Sequence, residues 1–104
     1  MVVEYTQYRI PEDQREWFVD AYERAAGYLS ESPHCLAYEL SHSLEDQEHY
    51  ILRVEWTSAQ KHLEAFRNER GFPEFLRLVQ PFAGNIERMN HYELTGIVLW
   101  KKTV

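Results

Sequence analysis

Two hydrophobic periods alternate along the chain, and each change of period marks a change of element. Residues 2–10 (VVEYTQYRI) are rich in β-branched and aromatic side chains and read as a strand. Pro11 suits the first turn of a helix, where its missing N–H costs nothing, and Glu12 and Asp13 complement the positive end of the helix dipole. Phe18, Ala21, Tyr22, Ala25 and Leu29 then recur at helical spacing and predict one apolar face, closed by Ser32-Pro33. Residues 34–43 return to a period of two, with Leu36, Tyr38 and Leu40 on one side and Cys35, Ala37 and Glu39 on the other. Residues 49–56 repeat it: Tyr50, Leu52, Val54 and Trp56 oppose Ile51, Arg53 and Glu55. The short polar connection Leu44-Glu45-Asp46-Gln47 makes these two strands a hairpin.

Thr57 followed by Gln60 has the spacing of a capping box and predicts a helix with Ala59, His62, Leu63 and Phe66 on its inner face. Gly71 interrupts it, and Pro73 suits the start of a second short helix with apolar positions at Phe72, Phe75, Leu76 and Val79. Pro81 and Gly84 end that segment. Residues 86–93 predict a fourth strand, and beyond Gly96 the run Ile97–Trp100 predicts a further short strand reaching a partner.

The order strand, helix, strand, strand, helix, strand is the α+β, ferredoxin-like βαββαβ arrangement, an antiparallel sheet with both helices on one face. One domain spans residues 1–104, with its core at 2–93 and a tail, 94–104, expected to pack on a partner subunit. Helices on one face leave the other uncovered, yet both faces of the hairpin carry bulky or pairable side chains. A second copy of the chain is the expected cover, with Glu39, Arg53 and Glu55, which share one face, at the interface of a homodimer. An arginine between two carboxylates favours ion pairing over glycoside hydrolysis.

A chain of 104 residues buries roughly 65% of its unfolded surface, enough for one core and one pocket. Aromatic residues make up 14%, which leaves rings to line a pocket after the core is filled. The net charge of −6 and the lack of any Lys/Arg cluster exclude nucleic acid and anionic membranes as partners. Ile97–Trp100 is the longest apolar run, far too short to span a bilayer, and no basic-then-apolar leader opens the sequence. The single cysteine, Cys35, excludes an internal disulfide and a multi-cysteine metal site, and reads as a small apolar residue. A cytoplasmic protein is expected.

Candidate chemistry concentrates on the helix side of the sheet. His62 shares a helix face with Ala59, Leu63 and Phe66, and an imidazole there titrates near neutral pH and can take the proton of a bound phenol. Trp56 closes its strand just before that helix, where its ring can stack on a planar substrate and its N–H can donate one hydrogen bond. Phe66 and Phe75 face the same strip of sheet. The strand tyrosines Tyr5, Tyr8, Tyr38 and Tyr92 can bring hydroxyls to a pocket, and Tyr5, Tyr38 and Tyr92 are the expected substrate contacts among them. His34, His42, His49 and His91 show no metal-ligand spacing, so no metal is expected.

The run PHCLAYEL at 33–40, then YILRVEWTS at 50–58, then His62 and Phe66, resembles the antibiotic biosynthesis monooxygenase family over roughly residues 2–93. The resemblance implies a dimeric α+β barrel, two ferredoxin-like subunits packed sheet to sheet. It implies a cofactor-independent monooxygenase acting on a small phenol, quinol or anthrone-like substrate. The alternative it allows is a non-catalytic dimeric module that binds a small molecule or haem, associated with a truncated haemoglobin. The family's haem-degrading members carry an Asn in the first strand and an axial His after the position of Gly71. Here the first strand offers Tyr8 and Arg9, and residues 72–80 hold no His, so haem degradation is not expected.

Overall fold

A computed structural model of the chain describes residues 1–58, 60 and 64–101. Its elements are β1 (Val2–Arg9), α1 (Arg15–Glu31), β2 (Cys35–His42), β3 (His49–Trp56), α2 (Phe72–Val79) and β4 (Ile86–Glu93). The strands form one antiparallel sheet in the order β2-β3-β1-β4, and α1 and α2 pack together against one face of it. This is the ferredoxin-like α+β fold. No helix among the described residues is long and apolar enough to cross a membrane.

The helical face of α1 is the one its periodicity predicts: Phe18, Ala21, Tyr22, Ala25 and Leu29 are all buried. A 3-10 turn over Glu12–Gln14 precedes it, tied by the Gln14 amide donating to the Pro11 carbonyl at 2.9 Å, so the α-helix proper opens at Arg15. The core centres on Phe18, whose ring lies 5.0–5.2 Å from those of Tyr8, Tyr22, Tyr50 and Phe82. Gly71 opens α2 because the Tyr28 ring of α1 crosses there. A Cβ at Gly71 would stand 2.9 Å from Tyr28 Cδ1, closer than packed carbons tolerate.

The strict alternation read along residues 34–43 fails at one place. Cys35 pairs with Trp56 but Ala37 pairs with Glu55, so Leu36 is an extra residue, a β-bulge. The bulge turns Cys35 to the helix side with Trp56, away from Ala37 and Glu39, and leaves Leu36 half exposed. Burial pushes the Cys35 thiol up to about 11, so it stays protonated at neutral pH. A second bulge at Glu87 offsets β4 against β1, since Gln7 pairs with Arg88 and Tyr8 with Ile86. Residues 94–101 form no strand within the chain, and Ile97, Leu99 and Trp100 are exposed. Among the described residues the strand expected there does not form.

In β1 the two faces carry different chemistry. Glu4, Thr6 and Tyr8 face the helices with Val54, Leu52 and Tyr50, whereas Val3, Tyr5 and Gln7 face the uncovered side. A carboxylate and a hydroxyl thus lie under the helices while a valine and a tyrosine line the open face.

Candidate functional site

Between the helices and the sheet lies a cavity of about 480 Å³. That falls within the range of small-molecule sites, roughly 300–1,000 Å³. Its buried floor is Glu4, Thr6 and Tyr8 of β1 with Leu52, Val54 and Trp56 of β3. Tyr22 and Leu29 of α1, Phe66, and Phe72 and Phe75 of α2 form the roof. Arg67, Leu76, Gln80, Ile86, Met89 and His91 also line it, and all are exposed. The mouth therefore opens between α2 and β4, because α2, only eight residues long, stops short of covering β4.

The polar groups of the floor are held in place. Trp56 Nε1–H donates to Glu4 Oε1 at 3.1 Å, and Thr6 Oγ1–H donates to Glu4 Oε2 at 2.8 Å. Glu4 is 5% exposed, so a carboxylate is buried on the cavity floor with both oxygens oriented. His91 of β4 is its cross-strand neighbour through the Glu4–His91 pairing, on the same face. The aromatic wall is continuous: Phe66 stands 5.2 Å from Trp56 and 5.1 Å from Phe75.

Farther in, the hydroxyls of Tyr8 and Tyr22 hydrogen-bond to one another. Burial pushes the Tyr8 phenol up to about 12 and holds Tyr22 well above its ordinary value. Near neutrality both are protonated in folded and unfolded chain alike and contribute no pH dependence. Above the ordinary tyrosine value of about 10 the unfolded chain releases these protons while the folded chain keeps them, so stability falls as pH rises through about 12. An alkaline titration followed by tyrosinate absorbance should show two of the seven tyrosines ionising only together with loss of the circular-dichroism signal. All seven ionising in a chain that stays folded would contradict a buried pair.

The structure brings Trp56, Phe66 and Phe75 to one cavity. Trp56 offers a ligand its ring, since its single N–H is engaged by Glu4. His62 lies outside the described residues, as do Ala59 and Leu63, so the inner face predicted for that helix is described at Phe66 alone. Tyr5 and Tyr92 do not reach this cavity: they pack edge to face, ring centroids 5.6 Å apart, on the open face of the sheet. Tyr38 is not there either. It lines a separate groove with Val19 and Glu23 of α1 at the β2 edge. Period-two alternation tells which residues share a face, not which face meets the helices. Tyr8 is the strand tyrosine at the cavity, and Glu4, Thr6, Tyr22 and His91 are the polar groups that sequence reasoning missed. A signal existed: Glu4 and Thr6 share the parity of Tyr8, and Tyr22 lies on the buried face of α1.

On the open face Arg53 donates to Glu55 at 2.7 Å, lies 3.7 Å from Glu39 and reaches the Tyr5 hydroxyl at 3.4 Å. The three residues share that face, as their parity predicts. Among the described residues no three His, Cys, Asp or Glu side chains stand close enough to hold a metal ion.

The chain is 29% identical over 93 residues to the uncharacterised protein YczJ of Bacillus subtilis, covering 89% of this chain and 98% of that one. Its fold matches a proposed antibiotic biosynthesis monooxygenase of Bordetella bronchiseptica, with a TM-score of 0.73 at 18% identity over 90% of this chain and 96% of the other. A conserved protein of Methanosarcina mazei superposes with a TM-score of 0.72 at 14% identity, over 90% and 92% of the two chains. The family model for antibiotic biosynthesis monooxygenases matches residues 1–80, and with a cavity roofed by α1 and α2 over the sheet, this chain belongs to that family.

Proposed function

We propose that the protein is a cofactor-independent monooxygenase acting on a small phenol, quinol or anthrone-like substrate in the cavity beneath α1 and α2. The observation that carries the reading is the cavity itself: about 480 Å³, walled by Trp56, Phe66 and Phe75 and floored by an oriented carboxylate, in a member of this family. An aromatic wall holds a planar ring and keeps water from it. Ionisation of the substrate makes it electron-rich enough to pass an electron to dioxygen. One oxygen atom then enters the substrate and the other leaves as water, with all four electrons coming from substrate, so no external reductant is required. His62 is the proposed proton acceptor, and Trp56 orients the ring.

We further propose that the protein works as a homodimer joined through the open sheet face that carries Glu39, Arg53 and Glu55, with residues 94–104 packing on the partner subunit. Support comes from a sheet face uncovered by helices, where the exposed Tyr92 and Leu94 line a groove with Tyr5 and Ile51. The exposed apolar run Ile97–Trp100 adds to it.

Oxygen uptake by purified protein, measured with an electrode against a panel of hydroquinones and anthrones, tests the enzymatic reading. Consumption should be stoichiometric with product, with no flavin, metal or reductant added. A panel that binds without oxygen uptake would leave a small-molecule binding module as the function.

A further inference from the structure

We infer that the paired hydroxyls of Tyr8 and Tyr22 form a donor site in the cavity, presenting one proton to the charged oxygen of an ionised ligand. The inference rests on the cavity being a ligand site, as proposed above, and names the residues that hold the substrate anion. Tyr8 belongs to the β1 floor and Tyr22 to the α1 roof, and both line the cavity. They are 3% and 5% exposed, with their hydroxyls hydrogen-bonded to each other. Two hydroxyls carry two protons, and the bond between them uses one. Among the described residues neither oxygen has a second hydrogen-bond partner, so the remaining proton has no protein acceptor there. A buried donor left unpaired costs free energy, which a ligand oxygen at this place recovers.

The pair suits an anion. A hydroxyl that accepts a hydrogen bond is polarised by it, and its own proton becomes the better donor. Burial keeps Tyr8 protonated up to about 12 and Tyr22 well above its ordinary value, so both still donate where a phenolic ligand has ionised. Placement matters as much. Glu4, the carboxylate of the same floor, is four residues from Tyr8 along β1, about 13 Å between Cα atoms. An anion at the tyrosines therefore lies at the opposite end of the floor from that charge. In a quinol or an anthrone, the oxygen that gathers charge and the position that gives up a proton lie across the ring from each other. A ring held by the wall of Trp56, Phe66 and Phe75 can rest its charged oxygen on the tyrosines while the proton departs from its far end. Of the other ionisable side chains lining the cavity, His91 is the cross-strand neighbour of Glu4, and Arg67 is exposed at the mouth, where water screens it.

Nitrobenzene and 4-nitrophenolate share one ring and differ by one charged oxygen, so calorimetry of both on the intact protein tests this. At about pH 9 nitrophenol is ionised while both tyrosines keep their protons. Wild type should bind nitrophenolate about tenfold or more tighter than nitrobenzene. The double substitution Tyr8→Phe, Tyr22→Phe keeps both rings, and a melting curve checks its folding. It should bind nitrobenzene as wild type does and lose the preference for the anion. One of the two single substitutions, at the hydroxyl that meets the ligand, should show the same loss. Equal affinity of wild type for the two probes would overturn the inference, as would failure of both to bind. A folded double variant that keeps the preference would also overturn it, assigning the anion to Arg67 instead. The wild-type comparison decides alone if no variant folds. Anion preference without oxygen uptake from any quinol or anthrone would refute the oxygenase reading and leave this one standing. Oxygen uptake without anion preference would do the reverse.

Discussion

Replacing Phe18 by alanine should lower the free energy of unfolding by about 3–5 kcal/mol. The ring is fully buried and touches four others, Tyr8, Tyr22, Tyr50 and Phe82, that join α1 to β1, β3 and the turn before β4. Its loss removes apolar contact on every side of one point, and the sheet and helix backbones cannot close over the gap. A small domain has about 5–15 kcal/mol in total, so the variant should unfold at much lower urea with an unchanged denaturant slope. Trp17, its neighbour in sequence, is the control. It is 53% exposed though its ring lies 4.5 Å from Phe82, and Trp17→Ala should cost about 1 kcal/mol. Equal effects at the two positions would mean that the core does not centre on Phe18.

Arg53→Ala should raise the dissociation constant of the proposed dimer about 100-fold or more, roughly 3 kcal/mol. Arg53 and Glu55 are already mostly out of water in a single chain, their side chains 20% and 13% exposed, and joined at 2.7 Å. A second subunit over this face would remove the rest of their solvent. Truncating the arginine then leaves Glu55 buried without its cation, which costs far more than the pair itself contributes. Replacing both by methionine removes the stranded charge along with the pair and should leave association within about tenfold of wild type. Sedimentation equilibrium across the micromolar range reads all three proteins. A wild type that sediments as a monomer would remove the dimer proposal itself. An Arg53→Ala dimer of undiminished strength would place the interface elsewhere.

The elements were legible in the sequence because the direction of a side chain is a local property. On a helix it recurs every 3.6 residues and on a strand every two, so Phe18 to Leu29 and Tyr50 to Trp56 announce their faces without reference to anything distant. The grouping of Arg53 with Glu55 and Glu39 follows from the same parity within one hairpin. The order of those elements then left the ferredoxin-like topology as the natural solution.

What only the tertiary structure decided is how separate elements register against each other. The bulge at Leu36 turns Cys35 to the opposite face, and nothing in an uninterrupted alternation signals it. The side of β1 that meets the helices was equally hidden: Glu4 and Thr6 lie beneath the helices. Pairing of β1 with β3 sets Glu4 within reach of Trp56, 52 positions away. A hydrogen bond between residues so far apart depends on strand register and on the bulges that adjust it. The sequence therefore determined which faces exist and what each carries. The packed fold alone decided which of them close around a cavity.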